Sequence, residues 1–353
     1  MEKMKALVTY APNDYRLEEV PIPSLESGEI LLKTRGCGIC ASDIKAFHGS
    51  DRFWGPSETE RYIKPPVIGG HELCGEIVDM AKDVKGFKKG NFLVTEQVVP
   101  CNECVYCKQG MYWNCQTSAV VGFKDYLCGG FAEYIKLHKY ALNHKVPRSF
   151  TTEQAVLVEP IACGMHAVER AEIQHKDVVV VGGLGAIGLA MLDMVKLYLP
   201  RKIIGIDLKP NRLEIAKTYG IDAVIDVSSQ NAVAEILGMT DGLGCDVYFE
   251  VSGTNAGAKQ GLNVLRHMGT YVQIGAFPGE ISADWNIIGD GKELNVKGSH
   301  LSALTYPSVI KGIETGLIRT DKLISHSFKL DNWEQAFDAA EKDARAMKVM
   351  IVP

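Results

Sequence analysis

Four of the ten cysteines crowd into fifteen residues: Cys101, Cys104, Cys107 and Cys115, spaced C-x2-C-x2-C-x7-C. Four thiolates in one short segment can close a tetrahedron around zinc and leave no position open for a substrate. The pattern therefore reads as a structural metal lobe over residues 100–116, folding a segment (Asn102, Glu103, Lys108, Gln109) too polar to pack itself. Thiolates equally suit an iron–sulfur cluster, but the ferredoxin run has a shorter third gap and a following proline, and this segment has neither. The N-terminal stretch MEKMKALVTYAPNDYRLEEV has no apolar h-region, so no signal peptide is expected there. Clustered cysteines in such a chain point to metal rather than disulfides and to a cytoplasmic setting.

Other metal donors are dispersed. Cys40 sits in GICASD, His71 and Glu72 in GGHELCGEIV, and Glu159 precedes Pro160 at the start of an apolar helix. Catalytic zinc takes three protein ligands plus a replaceable water, and Cys, His and Glu are all proper donors. Spacing alone cannot join residues so far apart, and each alone also fits a core cysteine, a satisfied core histidine or a helix-start acid. Cys37 and Cys163 are rivals of Cys40 and Glu159.

A third constellation is Gly183-Leu184-Gly185-Ala186-Ile187-Gly188, a G-x-G-x-x-G that follows the apolar run Asp177–Val181 and opens an apolar helix. The first glycine permits the tight turn, the second admits backbone to a pyrophosphate, and the third permits close helix–strand packing. The phosphates would meet free N–H groups at the helix N-terminus. Asp207 ends the next strand, nineteen residues beyond Gly188, where a carboxylate accepts the ribose hydroxyls of NAD and repels a 2′-phosphate. Lys209 and Arg212 lie close by and soften that preference.

The elements that position these groups divide the chain. Residues 1–160 carry short β-branched runs broken by Gly and Pro (Glu29–Thr34, Leu73–Asp79, Asn91–Pro100), the signature of an irregular β domain. From 161 to 297 strands alternate with helices: Lys202–Asp207, a helix over Asn211–Tyr219, Ala223–Asp226, Val247–Glu250, Thr270–Ile274 and Asn295–Gly298. Such alternation implies a doubly wound parallel sheet. Residues 298–353, with two helical patterns and a strand-like VMIV, are expected to return to the first domain. A chain of 353 residues suits two domains, and 46% hydrophobic residues supply ordinary cores. Net charge is −5, which gives no reason to expect nucleic acid or an anionic membrane as partner. The most apolar stretch, Val178–Val195, contains five Gly or Asp residues and reads as strand, turn and helix rather than a span.

GICASD, GGHELCGEIV, the four-cysteine lobe, the VEP segment and VVVGGLGAIG stand in the order and spacing of the medium-chain zinc alcohol dehydrogenases, which the whole chain resembles. The resemblance implies an α/β architecture, a GroES-like irregular β catalytic domain plus a Rossmann domain. It also implies two zinc ions per chain and a nicotinamide cofactor. The Glu-Pro segment resembles the polyol and threonine dehydrogenase branch. By motif, Cys40, His71 and Glu159 then surround the catalytic zinc, with Glu72 as direct or exchangeable ligand, and Cys37 and Cys163 drop back. The cofactor is expected against Gly183, Gly185, Ala186, Ile187, Gly188, Asp207, Arg212, Val251, Ser252, Ile274 and Gly275.

The resemblance also implies that Ser42 carries the substrate proton away. The family's next relay member is commonly a histidine three residues on; here it is Lys45, and Lys45, His48 or water would complete the step. Sorbitol-like members place an Arg-Tyr pair after the last Rossmann strand, whereas Gly298–Leu304 has no arginine. The expected activity is NAD-linked oxidation of a secondary hydroxyl on a small polyol (tetritol, pentitol or hexitol). Threonine and polyol phosphates are the alternatives, and a catalytically silent NAD-binding protein is the answer from another class. The loop Ser50–Pro65, with Phe53, Trp54 and Arg61, is either a pocket wall or a solvated loop. A homo-oligomer, tetramer or dimer, is expected through Rossmann edge strands near 285–300.

Overall fold

The computed structural model describes residues 2–353. They form two compact units. The first comprises the chain up to Glu159 together with Tyr306–Glu314 and Leu323–Pro353; the second comprises Pro160–Thr305 and Thr315–Lys322.

Eight strands precede residue 159: β1 (Lys3–Ala11), β2 (Asp14–Pro21), β3 (Ile30–Gly38), β4 (Val67–Ile68), β5 (Glu72–Met80), β6 (Phe92–Thr95), β7 (Tyr134–Leu137) and β8 (Asn143–Lys145). Six more, β9 (Val178–Gly182), β10 (Lys202–Asp207), β11 (Ala223–Asp226), β12 (Cys245–Glu250), β13 (Leu265–Gln273) and β14 (Asn295–Gly298), build the second unit. The tail returns β15 (Ile324–Lys329) and β16 (Lys348–Val352) to the first.

In the first unit a seven-stranded sheet runs β15-β16-β3-β5-β6-β8, with β7 also on β3, and a smaller sheet runs β2-β1-β4. Leu7, Leu32, Leu73, Ile77, Leu93, Phe131, Ile135 and Ile351 fill one apolar core between them. Long β3 and β5 pair from Ile30↔Met80 to Gly38↔Glu72, and this register sets the glutamate opposite the glycine that leads to Cys40. The hairpin of β1 and β2 sets a largely buried strand, Ala6–Val8 lying in the core, against a mostly exposed outer one.

The second unit is a six-stranded sheet ordered β11-β10-β9-β12-β13-β14, every pair parallel. Its central strand VVVVG is buried at every position, as a parallel strand covered on both faces must be. The order reverses between β9 and β12, and in such sheets ligands bind beyond the carboxyl ends of the strands at that point.

The return to the first unit comes at Tyr306 instead of residue 298. Thr305 still donates to the carbonyl of Ala162, inside the second unit. Residues 315–322 then go back, because Arg319 forks onto the buried Asp193 at 2.6 and 3.0 Å and caps two carbonyls, Thr218 and Tyr219. The loop 50–65 is not solvated throughout: Phe53, Trp54 and Ile63 are buried, and the Trp54 indole donates to the carbonyl of Ala46.

Candidate metal centres and cofactor crevice

Cys40, His71 and Glu72 converge, with donor atoms all within 4.8 Å of one another. Each is delivered by a defined piece of backbone. Cys40 is the N-cap of the helix Ala41–Phe47, its N–H donating to Asp43 at 2.8 Å. His71 follows Gly70, whose φ of +91° permits the turn into β5, and Glu72 opens that strand. Glycine at position 38 makes room for this carboxylate, since a Cβ there would stand 2.1 Å from Glu72 Oε2 and push it aside.

The donor set fits a divalent cation. The buried Glu72 Oε2 makes no hydrogen bond, an expensive arrangement unless something else satisfies it. His71 Nδ1 faces Asp43 Oδ1 at 3.6 Å, the carboxylate–imidazole pairing that orients a metal-binding ring and leaves Nε2 for the metal. Burial opposes protonation of His71, but Asp43, Cys40 and Glu159 outweigh it and hold the ring well above its ordinary pKa. A ring so surrounded by anions marks a pocket that favours a cation. Glu159, buried in the first turn of the helix Val158–Ala171, acts on both His71 and Lys348 but lies outside the tight three-residue set.

Lys348 is the residue that sequence reasoning missed. It starts β16 and is only 8% exposed; its ammonium donates to Glu72 Oε1 at 2.5 Å and to the carbonyl of Ile39 at 3.2 Å. Burial lowers its pKa, but Glu72, Cys40 and Glu159 raise it further, so the charge persists. A lysine opening the apolar run VMIV was the only available signal.

Ser42 Oγ lies 3.4 Å from His71 Nε2. Lys45 is one turn further along the same helix face, half-buried, its pKa lowered by burial and by Arg52. His48 is turned to the surface, its Nε2 3.0 Å from Glu341. Cys37 is fully buried with its thiol on the carbonyl of Gly38, and Cys163 belongs to the second unit. A wall of aromatics backs the imidazole: Phe123 is 5.5 Å from the His71 ring and stacks on Phe53 at 5.1 Å.

The four lobe cysteines also converge within 4.8 Å. Their sulfurs take local N–H donors: Cys101 from Glu103 and Cys104, Cys104 from Cys107, and Cys115 from Cys101. The Thr117 hydroxyl adds a contact to Cys115 at 3.1 Å. From within the lobe Tyr112 donates to the buried Glu96, which His144 also meets at 2.8 Å.

In the second unit Gly183–Gly188 turns from β9 into the helix Ala186–Lys196, capped by Gly185. A Cβ on Gly188 would fall 1.9 Å from the carbonyl oxygen of Gly183, so this position can only be glycine. Asp207 accepts from the N–H groups of Leu184, Leu208 and Lys209 at 2.8–2.9 Å and lies 3.5 Å from Arg212. Val251 and Ser252 N–H groups both reach the carbonyl of Gly182, while Ile274 and Gly275 reach that of Glu250. The expected cofactor residues thus lie along the carboxyl edge of the sheet and on the two helices that follow β9 and β10, Ala186–Lys196 and Pro210–Thr218.

Residues 26–148 match the alcohol dehydrogenase GroES-like domain and residues 186–315 the zinc-binding dehydrogenase domain. An erythritol/L-threitol dehydrogenase of Mycolicibacterium smegmatis is 40% identical over all of this chain and 98% of its own. An L-threonine 3-dehydrogenase of Pyrococcus horikoshii is 32% identical over 96% and 95%. A zinc-binding dehydrogenase from Sinorhizobium meliloti, solved with NADP, superposes with a TM-score of 0.90 at 26% identity over 100% of both chains. The chain belongs to the zinc-binding, medium-chain alcohol dehydrogenases. It is a nicotinamide-dependent oxidoreductase.

Proposed function

We propose that this enzyme oxidises a secondary hydroxyl of a small polyol to a ketose, with NAD+ as acceptor. The carrying observation is the convergence of Cys40 on the buried His71 and Glu72, with an unpartnered Glu72 oxygen, in a chain similar end to end to an erythritol/L-threitol dehydrogenase. Cys40, His71 and Glu159 would hold the catalytic zinc, Glu72 serving as direct or exchangeable ligand, and Cys101, Cys104, Cys107 and Cys115 a second, structural zinc. Bound there, zinc would supply Lewis acidity at the substrate oxygen and NAD the hydride acceptor.

The protein's own groups do the rest. Asp43 orients His71. Ser42 is placed to take the hydroxyl proton and pass it on, and Lys45, whose environment favours the neutral amine more than in water, is the next acceptor on that face. His48, engaged by Glu341, is set aside. Asp207, fixed by three N–H donors, favours a free ribose over a 2′-phosphate and partly neutralises Arg212.

None of the ten cysteines is paired in a disulfide, which suits a reducing cytoplasm. Among the described residues no helix is long and apolar enough to cross a membrane. A homodimer or tetramer would pair copies through the edge strand β14, where Val296 is exposed beside the open ladder.

The test is a panel of C3–C6 polyols, threonine and polyol phosphates, each with NAD and NADP, on zinc-loaded protein. The expected result is reduction of NAD by a tetritol or pentitol, with a preference over NADP of about a hundredfold. Threonine outpacing every polyol would favour the second reading, which the 32% identical threonine dehydrogenase supports. No NADH from any secondary alcohol would sink the proposal.

A further inference from the structure

Glu250 is a fully buried carboxylate at the carboxyl end of β12, beside the point where the sheet order reverses. It makes an unusual number of bonds for one side chain. Oε1 accepts the Ser252 hydroxyl and the Gly253 N–H, and Oε2 accepts Gly253 again and the Gln273 amide at 3.1 Å. The main-chain carbonyl of the same residue takes the N–H groups of Ile274 and Gly275 at 3.1 and 2.8 Å. Glu250 therefore ties the loop after β12 to the loop after β13.

The packing around it leaves no slack. A Cβ on Gly275 would stand 2.7 Å from Glu250 Oε2 and 2.4 Å from Gly253 N. Ser252 Oγ passes the linkage on to Thr254, which caps the helix Asn255–Val264. On the other side the Val251 and Ser252 N–H groups bind Gly182, and a Cβ on Gly183 would meet Ser252 N at 2.7 Å. The turns after β9, β12 and β13 are thereby one hydrogen-bonded unit with Glu250 at its centre.

We infer that Glu250 is the positioning residue of the nicotinamide half of the cofactor crevice: buried and out of reach of the ligand, it fixes the Val251–Thr254 and Gln273–Gly275 loops in a preformed arrangement. The inference rests on the reading that this edge of the sheet binds NAD. The Gly253 N–H and the Gln273 amide nitrogen can only donate and the Ser252 hydroxyl donates here, so an acceptor-only carboxylate serves all three. Glutamine would keep the shape but give up one acceptor: its N–H2 would face a donor-only group, or a Ser252 hydroxyl that must turn round and accept.

Glu250 itself makes no bond to the adenosine half of the crevice, around Asp207: the two halves meet at the turn after β9, where Leu184 N–H donates to Asp207 and Gly183 N–H to the carbonyl of Ile206. This separation gives the test. Binding of NADH and of ADP-ribose, which lacks nicotinamide, is measured on the full-length zinc-loaded protein and on Glu250→Gln. Loss of one charge-assisted bond and the clash that replaces it should weaken NADH about tenfold or more while ADP-ribose stays within about twofold. In turnover, KM for NAD should rise with KM for the polyol unchanged. Gln273→Ala removes a single donor and should weaken NADH about threefold, so the inference remains testable if Glu250→Gln fails to fold. Unchanged NADH affinity in both variants, or equal weakening of NADH and ADP-ribose, would overturn it. Wild-type protein that binds neither probe would instead overturn the cofactor reading, and the inference with it.

Discussion

The chain carries two clusters of metal-donor side chains that differ in nearly every respect. The lobe takes its four sulfurs from fifteen consecutive residues, and each of three of them accepts N–H groups from neighbours within the same segment. The Cys40–His71–Glu72 centre draws on a helix cap, a glycine turn and a strand, and leaves the buried Glu72 Oε2 without a hydrogen bond. A site whose bonds are closed locally serves folding; a site with acceptors held open by distant structure can take an exchangeable ligand. The presence of Lys348 sharpens the contrast. The open centre has a buried counter-charge, and the closed one uses local backbone N–H groups and one hydroxyl, Thr117.

The comparison breaks first at His71. His71→Ala should lower kcat/KM by on the order of a thousandfold and leave the lobe metal in place, as metal analysis per chain would record. If both metals left together, the two centres would not be independent.

Lys348→Met strips one partner from a buried pair and leaves Glu72 uncompensated. A loss of about 3–5 kcal/mol in unfolding free energy is expected, read from denaturant midpoints, with Lys348→Arg recovering part of it. A variant as stable as the parent would mean that the Glu72 charge is neutralised another way.

Asp43→Asn removes the carboxylate facing His71 Nδ1 while keeping its shape. Metal affinity at the open centre should fall about 10–100-fold in chelator competition, and the lobe should be unaffected.

Cys104→Ser should do least to chemistry. Turnover at low temperature should stay within about threefold, because no lobe donor touches the Cys40 centre, whereas residues 101–115 should become readily cleaved by protease. A collapse of kcat with an intact lobe would contradict the division of roles.

The sequence displayed the lobe outright, since its donors are neighbours and their spacing is the geometry. It displayed the Gly183–Gly188 turn for the same reason: strand, turn and helix lie within a few residues of one another. Asp207 was legible because one strand and one helix fix its distance from that turn. The open centre was legible only through resemblance, as Cys40, His71 and Glu159 with Glu72 beside them, because residues so far apart have no spacing rule; the structure gathers Cys40, His71 and Glu72 within 4.8 Å and leaves Glu159 outside that set. His48 and Lys45 looked equivalent until His48 was seen turned to Glu341. The second domain boundary was misplaced by eight residues because Thr305–Ala162 and Arg319–Asp193 are contacts over more than a hundred residues.

What the sequence by itself determined was therefore the class of chemistry: metal-type donor groups, a dinucleotide turn, and strands whose apolar runs build a parallel sheet. Local spacing and periodicity encode these, because they depend on backbone geometry over a few residues. Only the tertiary structure decided which charges meet. Lys348 lies 276 residues from Glu72 and reaches it because β16 pairs with β3 and β3 with β5. Glu250 takes Ser252 and Gly253 from its own turn but reaches Gln273 only because β13 lies beside β12. Both groups are buried where an unpaired charge would be costly, and the partners that sheet register supplies, Lys348 to Glu72 and Gln273 to Glu250, are recorded in no local pattern.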